Sequence, residues 1–194
     1  NLNWRHVYDS TGKELSADFD YVRYWNHSEM MLSTDIYDNS LQKIGNTALR
    51  GDIPVDVSIY SFKSDYMKPM KNGRIEAGFK VSYVKTNNLV DYETRNGNNP
   101  WQQDEIRSNH FIYSENINAA YVNVNKQFKK WTVQGGLRVE NTIAKGNQLG
   151  NAVQKDSSFK RHYTQLFPTA FVRYTANDNN TFSRPFSQQI AWEW

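Results

Sequence analysis

The chain contains no cysteine, so neither a disulfide framework nor a thiolate metal site is open to it. It also lacks any apolar run of the ~18 residues that a transmembrane helix requires. Charge of one sign is missing too: 23 Lys and Arg against 20 Asp and Glu leave a net +3, which gives no footprint for nucleic acid. No Gly-x-Gly-x-x-Gly, no phosphate-binding glycine loop and no Gly-x-Ser-x-Gly occurs. The four histidines, His6, His27, His110 and His162, stand far apart and form no His-Glu-x-x-His pattern. These absences lead us to expect no enzyme, no metal and no cofactor.

Aromatics, by contrast, are plentiful. They make up 14% of the chain, with 12 Tyr, 10 Phe and 6 Trp. Yet the mean hydropathy is −0.80, low for so aromatic a sequence. Two architectures fit that mismatch. One is a soluble β-sandwich, such as a carbohydrate-binding module, with aromatics in its core or on a sugar platform. The other is a transmembrane β-barrel, whose strands alternate lipid-facing and water-facing residues and so keep the average hydropathy low.

The alternation itself is plain. In 74–86, Ile75, Ala77, Phe79, Val81 and Tyr83 oppose Arg74, Glu76, Gly78, Lys80 and Ser82. In 131–142, Trp131, Val133, Leu137 and Val139 oppose Thr132, Gln134, Arg138 and Glu140. Leu15, Ala17, Phe19 and Tyr21 oppose Ser16, Asp18 and Asp20, and Tyr60, Phe62 and Tyr66 oppose Lys63 and Asp65. Successive side chains of a strand point to opposite faces, so each segment has one apolar and one charged side.

Turn chemistry divides these segments into a short–long rhythm. Short turns are expected at Asp9–Lys13, Pro69–Gly73, Lys129–Lys130 and Asn177–Asn180, and long loops at about 26–54, 93–109 and 149–162. The fold class that follows is all-β, an antiparallel up-and-down transmembrane barrel with about eight strands present. They run at roughly 2–8, 14–25, 55–67, 74–92, 110–127, 131–148, 163–176 and from 181 onward. Met30–Tyr37 fits either an extended strand or an extra hairpin. The longest strands exceed what a bilayer needs, so their tops should project beyond it. Tyr8, Tyr24, Trp25, Tyr66, Phe128, Trp131 and Tyr174 near strand ends suit interfacial girdles.

Candidate chemistry is sparse. Asp18 and Asp20 share a face, where a carboxylate pair could serve acid–base work or calcium. Beside Lys63, Lys80 or Arg138 they read better as part of a wet, mixed-sign wall together with Glu76 and Glu140. Asp104-Glu105 and the Asn177–Asn180 run read as solvated loop and turn. No catalytic, metal, cofactor or substrate residue is assigned.

Several stretches resemble the outer-membrane β-barrel family of TonB-dependent-receptor-like proteins of Bacteroides-type bacteria. They include Val57–Tyr66, Ile75–Asn87, Phe111–Tyr121, Trp131–Gly146 and Tyr163–Thr169. With Leu15–Tyr24 the resemblance covers nearly all of 1–194 as one barrel segment. It implies a larger barrel of about 22 strands in the bacterial outer membrane, filled by a plug domain and energised through TonB. Siderophores, vitamins, glycans or peptides would be taken up. Implied partners are lipid, lipopolysaccharide, the plug, TonB and a surface lipoprotein, with no nucleic acid. The chain departs from that pattern in lacking plug and TonB box, in holding about a third of the strands, and after Thr181-Phe182-Ser183, where the family continues a strand rich in Ser, Tyr, Gly and Arg but this chain reads Arg184-Pro185-Phe186. Asn1–Trp4 already reads as strand, so for an exported protein this start is expected to be internal to the precursor. Ile190, Trp192 and Trp194 resemble a barrel's C-terminal insertion signal, which a complete small eight-stranded barrel with a structural or adhesive role would also carry.

Overall fold

The computed structural model describes residues 1–177 and 180–193, with side chains through Ile190. The described residues form one sheet of ten strands. They are β1 (Leu2–Val7), β2 (Glu14–Tyr37), β3 (Lys43–Met70), β4 (Gly73–Asn96), β5 (Gln102–Gln103), β6 (Asn109–Phe128), β7 (Trp131–Leu149), β8 (Ser157–Asn177), β9 (Asn180–Ser187) and β10 (Ile190–Glu193). The order is β1-β2-β3-β4-β6-β7-β8, and every pairing is antiparallel. β5 adds to the top of β4. β9 and β10 lie end to end along β8, parted at Gln188 and Gln189, so the eighth position is one interrupted strand. There is a single sheet rather than two packed ones, which overturns the sandwich expectation.

Three of the short turns fall where the turn residues put them, and the expected turn at Asn177–Asn180 rests on residues 178 and 179, which lie outside the described ones. Asn72 and Lys129 take positive φ of 58° and 49°, the left-handed geometry that two-residue hairpins need. The long segments differ from expectation. Residues 26–37 and 43–54 are not loop: they continue β2 and β3 in register, Trp25↔Asp56 through Ile36↔Gly45, and turn only at 38–42. Met30–Tyr37 is therefore a strand extension. Polar composition misleads here because both faces of a hairpin standing in water can be polar. Likewise β4 runs on to Asn96 and β8 begins at Ser157. Arg184 and Pro185 do not interrupt β9, which pairs with β8 through Ser187. A proline fits there because an edge strand can spare an N–H. Pro54 sits mid-strand, and the β3–β4 ladder lapses at Ile53 and Pro54.

The sheet curves, and its two faces differ in exposure. Along β7, Val133, Leu137 and Val139 are exposed while Thr132, Gln134, Arg138 and Glu140 are partly covered. Thr142, Ala144 and Gly146 on that second face are buried. The apolar set is thus convex and the polar set concave. A protein folding in water would do the reverse. The few buried apolar side chains are alanines, Ala48, Ala119 and Ala144.

Candidate functional site

The convex band is built by register. Directly paired residues share a face, and the ladders align Phe19, Phe62 and Val81, then Leu137 with Val122 and Ala77 with Tyr66. From Ile75 to Tyr83 the band runs about 27 Å along β4. At ~45° tilt that is about 19 Å of height, close to the ~25 Å apolar belt of a barrel. Aromatics bound it. At the short-turn end stand Tyr66, Phe128, Trp131 and Tyr174, the last two with ring centroids 4.6 Å apart. At the other end Tyr21, Tyr60 and Tyr83 form one row across three strands, Tyr21 stacked on Tyr60 at 4.8 Å. Tyr24 lies on the concave side, so it is not part of this girdle. Alternation alone places Tyr21, Tyr60 and Tyr83 on the apolar face, but their shared level needs the register.

The concave wall within the band is charged. Asp18 and Asp65 flank Lys63, at 3.9 and 2.7 Å. Asp65 also accepts from the Tyr121 hydroxyl, and Asp18 from the Asn3 amide. Lys80 pairs across from Lys63 in the ladder. Arg138 pairs with Glu140, and Arg74 with Glu76 at 2.7 Å. Asp18 is thus joined to Lys63 as expected but not to Arg138, and Asp20 instead accepts from Asn1. Among the described residues no group of His, Asp and Glu is arranged to hold a metal ion. The site is a wall of alternating sign, able to pass or hold polar solutes.

Above the band the polarity inverts. The convex side turns polar: Arg23 pairs with Asp56 at 2.6 Å, Arg50 with Glu93, and Lys43 with Asp35 at 2.7 Å. His27, His110 and His162 also stand on this convex side, all on strands rather than in loops, His27 within 3.3 Å of Glu29 and Asp52. His6 lies lower, between Trp4 and Tyr8. Meanwhile the concave side gains Val22, Tyr24, Val57, Ile59, Val84, Phe111, Tyr113 and Phe159. Gly146 makes room for this cluster, since a Cβ there would collide with the Phe159 and Phe111 rings.

The top is organised by residues 97–108. Trp101 is clasped by the guanidinium groups of Arg50 and Arg95, at 4.6 and 4.7 Å. Asp104 is not solvated as expected: it is among the few buried polar residues and binds Arg107. Burial pushes its carboxyl up, but donation from the Arg107 side chain and backbone outweighs that and holds it below the usual range. Asn151 ties the neighbouring hairpin in, donating to Glu105 O at 2.7 Å. Sequence reasoning could not find this knot, because its contacts join residues far apart in the chain.

Comparison with known proteins accords with this geometry. Residues 6–191 match the model of the outer membrane protein beta-barrel family, and the chain belongs to that family. It is a protein of the bacterial outer membrane; barrels of that membrane keep their short turns on the periplasmic side and their long loops outside. Among solved structures, the unliganded ferric citrate transporter FecA is similar at 10% identity with a TM-score of 0.38. That match covers 83% of this chain and 27% of the transporter's. No curated protein matches.

Proposed function

We propose that the chain forms part of the barrel wall of a TonB-dependent receptor-like transporter that takes up nutrients, as the resemblance to such proteins of Bacteroides-type bacteria implies. The observation that carries this reading is the concave wall: charged and mixed in sign within the membrane, aromatic and aliphatic above it. The upper part offers a vestibule for ligand or plug, and the lower part a wet lumen lining. The wall binds and conducts rather than catalyses. Among the described residues no ladder joins β1 to β9 or β10, and lipid does not tolerate unpaired strand edges. Further strands of a larger barrel would pair them. Lipid and lipopolysaccharide would surround the band, a plug would fill the lumen, and TonB and a surface lipoprotein would act at its two ends.

Growth of bacteria lacking the full-length protein, on siderophore-bound iron, vitamins, glycans or peptides as limiting nutrient, tests transport. One class should fail, and depleting TonB should reproduce the failure. No loss on any class would overturn the transport reading. A second reading, a closed eight-stranded barrel, is favoured by the eight positions across the sheet, the number at which small barrels close. The 194-residue chain refolded alone separates the two. A heat-modifiable monomer supports the small barrel, and aggregation supports the segment.

A further inference from the structure

The periplasmic end is rich in lysine. Lys13, Lys71, Lys129 and Lys130 lie in or beside the short turns, and Lys68 and Lys126 stand on the convex face just above them. Two are aimed by backbone carbonyls: Lys126 donates to Lys71 O, and Lys130 to Ala176 O at 2.7 Å. Between the 70–73 and 128–131 turns, Lys71, Lys126, Lys129 and Lys130 line one recess with Trp131 and Tyr174, and no carboxylate stands among its described lining residues. The same two rings also open a second hollow that climbs the convex face. That hollow is apolar, lined by Ala170, Val172, Phe182 and Phe186, with Arg184 as its one cation. A cationic recess at membrane-surface height therefore continues into an apolar groove at acyl-chain height.

We infer that this composite surface is a binding site for an anionic phospholipid of the periplasmic leaflet. The phosphate sits among Lys71, Lys126, Lys129 and Lys130, and an acyl chain lies along Val172 and Phe186. Charge complementarity selects the occupant. Four lysines line the recess, none of them in an ion pair among the described residues, and the groove beside them meets lipid rather than water. A water-soluble anion would leave the groove unused, and a neutral phospholipid would leave the lysines unmatched. At the opposite end Arg23, Lys43 and Arg50 are instead held by Asp56, Asp35 and Glu93. Arg184 gains a role here as well, since its long stem can lie along the groove while its guanidinium reaches toward the headgroup.

The full-length protein in nanodiscs of phosphatidylcholine with a minority of phosphatidylglycerol tests the site, with bound lipid counted by native mass spectrometry. Phosphatidylglycerol should be retained above its share in the disc. A lysine near an anionic surface is worth roughly fivefold in binding, so K126Q and K130Q should each lower retention by about that factor. K85Q and K145Q, on the convex face above the band, should leave it unchanged. Heat-modifiable migration establishes that each variant is folded. Equal retention of the two lipids, or no loss in K126Q and K130Q, would overturn the site. Displacement of the lipid by millimolar inorganic phosphate would overturn it too, by showing a free-anion site instead.

Discussion

The glycines of β7 show how much a single position depends on its face. A Cβ at Gly135, on the convex side, meets nothing within 4 Å, whereas one at Gly136 lands on Asn123 and Thr169. At Gly78 it would press on the Ser64 carbonyl, the Asp65 carboxylate and the Tyr121 ring. Substituting Gly135→Ala should therefore be neutral or stabilising by up to ~1 kcal/mol, through lost freedom of the unfolded chain. Gly78→Ala should cost about 1–3 kcal/mol through overpacking against backbone that cannot yield. Urea titration of the protein folded in bilayers measures both. Leu137, exposed on the convex face, provides a sharper contrast. In water an exposed Leu→Arg change lies within about 0.5 kcal/mol of neutral. Facing lipid near mid-band it should cost about 2–4 kcal/mol. A near-zero cost for Leu137→Arg in bilayers would contradict the assignment of this face to lipid.

The elements gain their length from pairing rather than from apolar content. β2 and β3 stay in register from Glu14↔Met67 up to Ile36↔Gly45, far beyond the band. Their outer part is held by exposed ion pairs, each worth little by itself. Lys43 and Asn46 donate to Asp35 and hold its carboxyl below the usual range, and Arg50 does the same to Glu93. A carboxyl with a depressed folded-state pKa contributes stability above its unfolded pKa and loses it as pH falls through the folded value. Acidification from neutrality to below the ordinary carboxylate range should thus loosen residues 31–49 and leave the membrane band protected. Hydrogen exchange, corrected for intrinsic rates, reads this directly. Uniform protection of the hairpin at both pH values would show that the ladder alone holds it.

The whole molecule is ordered by height. Trp131 belongs to the periplasmic girdle, whereas Trp101, clasped by Arg50 and Arg95, stands well above the outer tyrosine row. In variants retaining one of these tryptophans, quenchers attached at shallow depth in the lipid should dim Trp131 strongly and leave Trp101 bright. Equal quenching of both would refute the vertical placement. At this scale the edges of β1 and of β9 and β10 also matter: among the described residues no ladder joins them, and any account of the assembled protein must pair both.

Much of this was legible in the sequence because a strand's period is two. The alternation at 74–86 and 131–142 names the apolar face with no knowledge of neighbours, and Asn72-Gly73 and Lys129-Lys130 mark turns by local backbone preference. From those two signals come the strand count, the up-and-down order and the barrel class. Register, however, is a relation between strands, so only the folded sheet aligned Tyr21 with Tyr60 and Tyr83, and Asp18 with Lys63. It also moved Tyr24 off the girdle. Length was hidden for a different reason. Residues 26–54 carry only a broken apolar stripe, Met30, Leu32 and Ile36 with Leu49 and Ile53, because above the membrane both faces can be wet and the ladder of backbone hydrogen bonds carries the strand. The C-terminal signal rests on Ile190 and on the side chains of Trp192 and Trp194, and those two side chains lie outside the described ones. What the sequence determined alone is which side of each strand faces lipid, since that depends on single residues in turn. What the tertiary structure decided is which residues share a level, since that depends on pairs the chain brings together from far apart.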